Sequence, residues 1–485
     1  MIDRVFLFTL STLGLVAGLS LPAPFVAVSF AQDTSPAQDT SPAATTPDDA
    51  SPEDAHAEES HSHHDESASS NGPTPTGPTS TGPTSTGPTS TGPTSTGPTS
   101  TGPTSTGPTS KGPTREPANL LGKGPDGKPF ELNEEGKQAK ATYVQAKEQL
   151  VNVLIDMRTV HTLYMNGEEQ TPAALDRYRE LREQSYALFE EVFDAAYEYL
   201  LLAPDQEAAQ YLLTMLEHRF KHSNYSLSTM RASALLIDLG FNQVFLFQSA
   251  ARSSVCAGEF ETAEKIYEYL KPEDYGDLDK RFSYQMDDLK QQWAEEQKRR
   301  EQDAEKELPR VKLNTTHGDI VIELFLDQAP STVAHFIKLV EQGFYDGLDF
   351  YQVIDDLLAL TGDESGTGSG NSGQFIVDEH QRDGARNAFR GSLAMAKLPK
   401  GETGDFVPDS ASSQFAIFFT PVPTVSKEQT VFGRVIEGMD LFTELRRVDP
   451  HKEKKKGQVV YPPDRIIEAE VIRRPDELPE PEYRQ

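Results

Sequence analysis

Few residues of this 485-residue chain have the types and spacing that chemistry requires, and two histidines stand out first. His218 and His222 are four residues apart, so they would share one face of a helix, where such a pair can bind a metal ion. A metalloprotease helix also needs a glutamate directly after the first histidine, and Arg219 stands there. The spacing therefore predicts two solvated histidines and no metal site.

More histidines cluster near the N-terminus, and the chain has a single cysteine. His56, His61, His63 and His64 lie among acidic residues and could hold Zn, Ni or Cu loosely, although a solvated polar tract is the simpler interpretation. Cys256 cannot form an intrachain disulfide, because no second cysteine exists. It lies beside an apolar helical pattern without an adjacent His or Lys, which predicts a buried structural thiol.

The first 31 residues have the organisation of an export signal. Arg4 precedes an apolar run from Val5 to Phe30, and small residues at the −3 and −1 positions fit cleavage after Ala31. An uncleaved membrane anchor is the alternative, but Pro22 and Pro24 disfavour a spanning helix. We therefore predict a protein exported to the periplasm, the cell envelope or the extracellular space.

Low-complexity sequence follows and predicts a disordered N-terminal third. Residues 32–75 include ten Asp or Glu residues but no Lys or Arg, too polar to offset the entropy of ordering. Residues 76–116 contain seven copies of Thr-Gly-Pro-Thr-Ser and predict a spacer, and residues 117–133 predict a linker. The formal net charge of −31 repels phosphate backbones and argues against a general nucleic-acid binder.

Residues 134–307 change to an amphipathic helical pattern. Apolar residues recur at steps of three and four from Tyr143 to Tyr164 and predict one long helix. Thr171-Pro172 forms an N-cap and first-turn pair for a second helix, and Asp205 can cap a third. The highly charged segment from Asp287 to Glu307 predicts a solvent-exposed helix that leads to the next domain.

Residues 257–267 resemble the second half of a tetratricopeptide unit, with Gly, an aromatic residue, Ala and Tyr at matching offsets. The resemblance covers half of one repeat, and no period of about 34 residues runs through the region. Together with the helical pattern it predicts an all-α region of stacked helical hairpins. Such stacks usually bind a protein partner or hold domains apart.

Residues 310–474 have the alternation of short strands, and residues 475–485 follow as a tail. Apolar and polar residues alternate from Val311 to Thr315 and again from Ile320 to Leu324, which predicts a β-hairpin. A helix opens at Pro330, and further short strands lie between Gly-rich turns. This succession predicts a mainly-β closed barrel with two helices.

Five segments of this region carry a family resemblance in order and at family spacing. They are Gly318–Leu324, Ala329–Phe336, Gly343–Gly347, Ser413–Phe415 and Val431–Met439. Together they resemble the bacterial cyclophilin pattern. The resemblance implies an eight-stranded barrel capped by two helices and peptidyl-prolyl cis-trans isomerase activity on X-Pro bonds, without a cofactor.

The same resemblance identifies the positions that line the family's proline pocket. In the family an arginine donates hydrogen bonds near the proline nitrogen and an apolar aromatic pocket holds the ring; here the arginine position is Gln352. The substrate-binding positions are occupied by Leu357, Leu358, Leu360, Ala396, Gln414, Ala416, Val425 and Gln429. Only Ala396 and Gln414 keep the family's residue types. A shifted loop that supplies Arg386 or Arg390 is the alternative source of the missing charge.

These replacements leave two functions open. The first is an exported isomerase of reduced activity, since the neutral Gln352 amide donates a weaker hydrogen bond than a charged group. The second is a catalytically degenerate module in which the barrel and the helical region bind proline-containing segments of client proteins. We expect no nucleic-acid partner, and a membrane contact only through an uncleaved N-terminal segment.

Overall fold

A computed structural model describes residues 130–401, 405–450 and 461–484. The predictions for the signal peptide, the acidic segment, the spacer and most of the linker lie outside these residues. The described residues form a helical region followed by an antiparallel sheet with two further helices, which confirms the predicted fold class for this part of the chain.

The helical region contains seven α-helices between residues 134 and 304. They are α1 (Glu134–Met165), α2 (Pro172–Leu202), α3 (Gln206–Lys221), α4 (Leu227–Asp238), α5 (Val244–Ala257), α6 (Phe260–Tyr269) and α7 (Asp277–Ala304). Thr171 and Asp205 accept hydrogen bonds from first-turn N–H groups of α2 and α3, which confirms both predicted caps. Gly258 ends α5 with a φ of 82°, in the left-handed region that glycine adopts without strain.

The apolar faces of these helices pack into separate clusters. Tyr143 and Leu150 of α1 pack with Phe193 of α2 and Leu212 of α3. A second cluster joins α5, α6 and α7, and it contains Cys256. Burial raises the pKa of the Cys256 thiol to about 12, so the predicted buried structural thiol is confirmed. None of the described helices has both the length and the apolar character that crossing a membrane requires.

The C-terminal region forms one curved antiparallel sheet. Its strands are β1 (Arg310–Thr315), β2 (Gly318–Leu324), β3 (Gln352–Ile354), β4 (Leu358–Thr361), β5 (Ser392–Met395), β6 (Phe415–Phe418), β7 (Val431–Glu437) and β8 (Ile466–Arg473), with helices α8 (Pro330–Glu341) and α9 (Met439–Thr443). The strand order is β3-β4-β6-β5-β7-β2-β1-β8. Phe350 N donates to Asp464 O at 2.8 Å and Ile466 N to Leu348 O at 2.9 Å, which brings the two ends of the sheet together.

Alternate strand residues fill the inside of the barrel, because side chains along a strand point to opposite faces. Leu313, Ile322, Leu393 and Ile417 belong to this core. Phe336 of α8 packs against the core with rings from the sheet. The chain after β8 also lies on the barrel, where Val377 N donates to Glu482 O and Arg484 N donates to Phe375 O.

Most residues of helix α7 from Asp287 onward are exposed, as its charged sequence predicts, but part of one face is buried. Glu296 and Asp303 are each only 3% exposed. Both accept hydrogen bonds from Arg386 of the barrel, whose side chain is 0% exposed. The prediction failed only for this face, because its charges have a cationic partner far along the chain, which a local pattern cannot reveal. The helical region and the barrel therefore share a buried, charged interface.

Candidate active site

The position of the missing arginine lies at one end of a row of residues across the outer face of the barrel. Gln352 on β3 pairs with Leu360 on β4, and Leu360 pairs with Ala416 on β6. Ala416 pairs in turn with Ala394 on β5, which pairs with Val431 on β7. The neighbouring residues Val353, Ala359 and Ile417 belong to the interior core. The predicted site residues on β3, β4 and β6 are therefore brought to one outer face.

This face carries an apolar cluster that includes Phe325 and Phe418, but Ala416 stands where the family's pocket has a phenylalanine. Ala416 is only 3% exposed and packs with Phe418. Leu358, Leu360 and Val425 are half-buried against the same cluster. The structure thus places four predicted substrate-binding residues together, and their side chains offer apolar contact without an aromatic wall at position 416.

Gln352 is the uncharged group at the edge of this cluster. Its half-buried side chain makes no hydrogen bond to any residue that the structure describes. Neither arginine that a shifted loop could supply reaches it: Arg386 is buried against Glu296 and Asp303. Arg390 donates to Asn224 Oδ1 at 3.1 Å and to Asp440 Oδ1 at 3.3 Å. Both guanidinium groups are bound to these other residues, so neither Arg386 nor Arg390 supplies a charge beside Gln352.

Gln414 keeps the family's residue type, but its amide is bound within the protein. Tyr351 Oη donates to Gln414 Oε1 at 2.6 Å. The Gln414 amide nitrogen donates to the carbonyl oxygens of Gly368 at 3.1 Å and Gly370 at 2.6 Å. Burial raises the pKa of Tyr351, which keeps its hydroxyl protonated as a donor. A substrate peptide would have to compete with these three bonds.

The Gly-rich loop that receives the Gln414 amide is organised by Asp363. The Asp363 carboxylate accepts hydrogen bonds from the Ser365 hydroxyl and from backbone N–H groups, including that of Thr367. Burial favours the neutral acid, but these donors outweigh it and hold the pKa of Asp363 below its ordinary value. Next to this loop a small crevice of about 50 Å³ is lined by Ala396 and Gln414 among others.

The two remaining predicted residues, Leu357 and Gln429, flank the apolar cluster. Leu357 lies in the turn between β3 and β4, where its carbonyl accepts a hydrogen bond from Phe419 N at 2.9 Å. Gln429 N donates to Val425 O at 2.9 Å, in the segment that precedes β7. Ala396 N donates to Gln414 O at 2.9 Å, which fixes the edge of the crevice.

Sequence reasoning missed the residues that hold the β3–β4 turn. Asp356 in this turn has a φ of 58° and accepts hydrogen bonds from Tyr225 Oη at 2.7 Å and Ser223 Oγ at 3.0 Å. Arg252 Nη1 lies 3.2 Å from Asp356 Oδ2. These three partners belong to the helical region, so that region fixes the turn that carries Leu357 and Leu358. No sequence signal links residues so far apart in the chain.

Comparison with known proteins agrees with this geometry. The family model described as cyclophilin type peptidyl-prolyl cis-trans isomerase/CLD matches residues 310–471. A peptidyl-prolyl cis-trans isomerase-like 1 of Neurospora crassa is 32% identical over 169 residues, which are 34% of this chain and 96% of that protein. A peptidyl-prolyl cis-trans isomerase of Helicobacter pylori is 34% identical over 139 residues, 28% of this chain and 80% of that protein.

Among solved structures, a Cryptosporidium parvum cyclophilin type isomerase determined in the presence of the dipeptide Ala-Pro is 26% identical, with a TM-score of 0.28. The match covers 33% of this chain and 98% of that one. Through its C-terminal barrel the chain belongs to the cyclophilin-type peptidyl-prolyl cis-trans isomerase family.

Proposed function

We propose that this protein is an exported member of the family whose barrel binds proline-containing segments of client proteins and catalyses their isomerisation only slowly. The observation that carries the proposal is Gln352, an uncharged side chain at the position of the family's arginine, with no cation supplied by Arg386 or Arg390. The half-buried Leu358, Leu360 and Val425, which pack on the cluster around Ala416, support binding of an apolar ring or side chain.

The expected loss of rate follows from hydrogen-bond strength. Rotation about an X-Pro bond has a barrier near 20 kcal/mol, and a donor to the proline nitrogen lowers it by weakening amide resonance. A neutral donor such as the Gln352 amide forms a bond roughly half as strong as a charged one. The weaker hydrogen bond removes about 1–2 kcal/mol of transition-state stabilisation, roughly tenfold in rate. The other pocket replacements would bring the loss to about 3 kcal/mol, on the order of a hundredfold. Some catalysis through the amide and the apolar contacts remains.

A second candidate function is a peptide-binding module without useful catalysis. It is favoured by Gln414, whose amide oxygen and nitrogen are both engaged by Tyr351 and the Gly-rich loop. In this alternative the apolar cluster provides affinity, and the helical region, with its weak tetratricopeptide likeness, binds a protein partner. The contacts of Asp356 with Tyr225 and Arg252 of the helical region support a joint binding surface.

A protease-coupled proline-peptide assay on the full chain separates the two candidates when it is combined with peptide titration. The slow isomerase predicts a measurable rate that falls further in Gln352→Ala while the affinity for the peptide is retained. Peptide binding with no rate above the uncatalysed one in either protein would support the second candidate instead. Tight binding of a cyclosporin-type ligand would contradict both, because it requires the intact family pocket.

Export also belongs to the proposal and rests on the N-terminal sequence. N-terminal sequencing of the mature protein should begin at Gln32 if the signal is cleaved after Ala31. A mature protein that retains Met1 and remains in the membrane fraction would support the uncleaved anchor.

A further inference from the structure

A cavity of about 700 Å³ lies between the helical region and the barrel. Helices α2 and α3 line one side of it, and the β1–β2 turn, α9 and the residues after α9 line the other. Seven carboxylate side chains and five Lys or Arg side chains are among its lining residues. The excess of negative charge favours a cation over an anion in this space.

Three potential metal ligands meet on the wall of this cavity. His218 Nε2 lies 3.0 Å from both carboxylate oxygens of Glu444, and His222 Nδ1 lies 3.4 Å from Glu444 Oε2. The two imidazole rings stack with centroids 4.2 Å apart, as expected for residues four apart at the end of α3, where His222 is the C-cap residue. All three side chains are half-buried or less exposed. The prediction of two solvated histidines was therefore wrong, because the partner Glu444 comes from the barrel.

His222 is left incompletely bonded in this arrangement. Its Nδ1 atom is buried and has no hydrogen-bond partner in the described part of the chain, although it faces a carboxylate. Leaving a buried polar nitrogen unsatisfied is costly, and a cation between it and the carboxylate would remove that cost.

We propose that His218, His222 and Glu444 bind one Zn²⁺ ion between the helical region and the barrel. Two imidazoles and one carboxylate are a known zinc ligand set. A tetrahedral site with metal–ligand bonds of about 2.0–2.1 Å has ligand atoms about 3.3–3.4 Å apart, close to the distances of 3.0 and 3.4 Å found here. All three ligand atoms lie within 4.8 Å of one another, so shifts on the order of 1 Å would bring them to tetrahedral spacing.

The fourth position of this site faces the cavity. The nearby His317 does not fill it, since Tyr186 Oη lies 3.3 Å from His317 Nδ1 and Asp464 Oδ2 lies 3.2 Å from His317 Nε2. Both nitrogens of that ring are engaged, so the fourth ligand is water or a small molecule in the cavity. Because the three protein ligands come from both regions, the ion ties the helical region to the barrel.

The test uses the full chain with His56, His61, His63 and His64 replaced by Gln, so that the N-terminal histidines do not compete for metal. Calorimetric titration with Zn²⁺ should give one site per chain, and Zn²⁺ should raise the thermal unfolding temperature. Loss of an outer-shell partner costs about 10- to 100-fold in metal affinity, so Glu444→Gln and His218→Ala should each cost on the order of a hundredfold or more.

His161→Ala is the matched control, because His161 is a half-buried histidine of α1 outside the ligand cluster. It should bind Zn²⁺ as tightly as the parent. A parent that binds no Zn²⁺, or a Glu444→Gln variant that binds it with unchanged affinity, would overturn the proposal and leave only a His–Glu ion pair. If the variants fail to fold, the visible absorption spectrum of the Co²⁺-loaded parent replaces them as the test. The intense absorption of a four-coordinate Co²⁺ site would support the proposal, and its absence would overturn it.

Discussion

Removal of one charge from the ion-pair cluster between α7 and the barrel should lower the free energy of unfolding substantially. Arg386 Nε and Nη2 donate to the two oxygens of Glu296 at 2.9 and 2.8 Å, and Nη1 donates to Asp303 Oδ2 at 2.9 Å. The guanidinium carbon also lies 3.9 Å from the centre of the Phe325 ring. Glu296→Gln removes one negative charge without changing the size of the side chain.

The magnitude follows from the burial of the partners. Breaking a buried ion pair by removing one charge costs about 3–5 kcal/mol, because the other charge remains buried. Asp303 still faces Arg386, so we expect about 3 kcal/mol, the lower end of that range. Arg386→Met alone should also be destabilising, since it leaves two carboxylates without this cation. The double variant should cost at least about 1 kcal/mol less than the sum of the two single changes.

Denaturant unfolding of the full chain, followed by tryptophan fluorescence, measures these changes. Trp293 is the only tryptophan of the sequence, and its ring centroid lies 4.8 Å from that of Phe389 of the barrel. Its emission therefore reports on the interface between α7 and the barrel. Glu295→Gln is the matched control, because Glu295 is the exposed neighbour of Glu296 on the same helix.

A change in the free energy of unfolding of less than about 0.5 kcal/mol in Glu296→Gln, the range of ordinary surface substitutions, would contradict this prediction. The prediction also fails if Glu295→Gln is equally destabilising. In either case the buried charges would not hold α7 on the barrel.

Three further predictions concern single side chains. Asp356→Gly and Asp356→Ala both lose the hydrogen bond to Tyr225, but only alanine is strained at the φ of 58°. In denaturant unfolding the alanine variant should therefore have a free energy of unfolding about 1 kcal/mol lower than the glycine variant, and equal stability of the two would contradict this. Burial lowers the pKa of His335 to about 4, so the unfolded chain binds more protons between pH 6.5 and about 4, and the free energy of unfolding should fall as pH falls through this window. His335→Gln should reduce that fall by about 1–3 kcal/mol in pH-dependent denaturation, and an unchanged pH profile would argue against the buried neutral ring. Cys256 should resist thiol reagents in the native chain at pH 8 and react once the chain unfolds; rapid labelling of the native protein would show that the cluster around it is open.

Much of the fold could be predicted because its signals are local. The long helix α1 follows from apolar residues at helical spacing, and the caps Thr171 and Asp205 follow from side chains that accept first-turn hydrogen bonds. The β1–β2 hairpin follows from alternation on each side of the turn at Gly318. In each case the determining residues lie within one element.

The interface between the helical region and the barrel could not be predicted, since its partners are distant in the sequence. A local pattern correctly identifies α7 as a charged helix but cannot show that Arg386 covers one of its faces. The same limit applies to His218 and His222, which only the fold brings to Glu444. Buried charge pairing depends on tertiary structure and leaves no periodic signal.

The candidate site could be predicted in its positions but not in its bonding. Alignment to the family pattern identified Gln352, Leu360 and Ala416, and strand pairing places these residues in one row. The engagement of Gln414 by Tyr351 depends on side-chain geometry across two strands, which the sequence does not specify. Residue types therefore predict which chemical groups line the pocket. Whether those groups are free to bind a substrate depends on hydrogen bonds that only the structure shows.

The uncharged Gln352 limits catalysis in a barrel that keeps the fold of the family. The most direct measurement compares kcat/KM for proline-peptide isomerisation between the full chain and its Gln352→Arg variant. A charged donor contributes about 1–2 kcal/mol more than a neutral one, so the variant should gain roughly tenfold over a slow parent. A parent already as fast as ordinary cyclophilins, or a correctly folded Gln352→Arg variant with no gain, would contradict the claim.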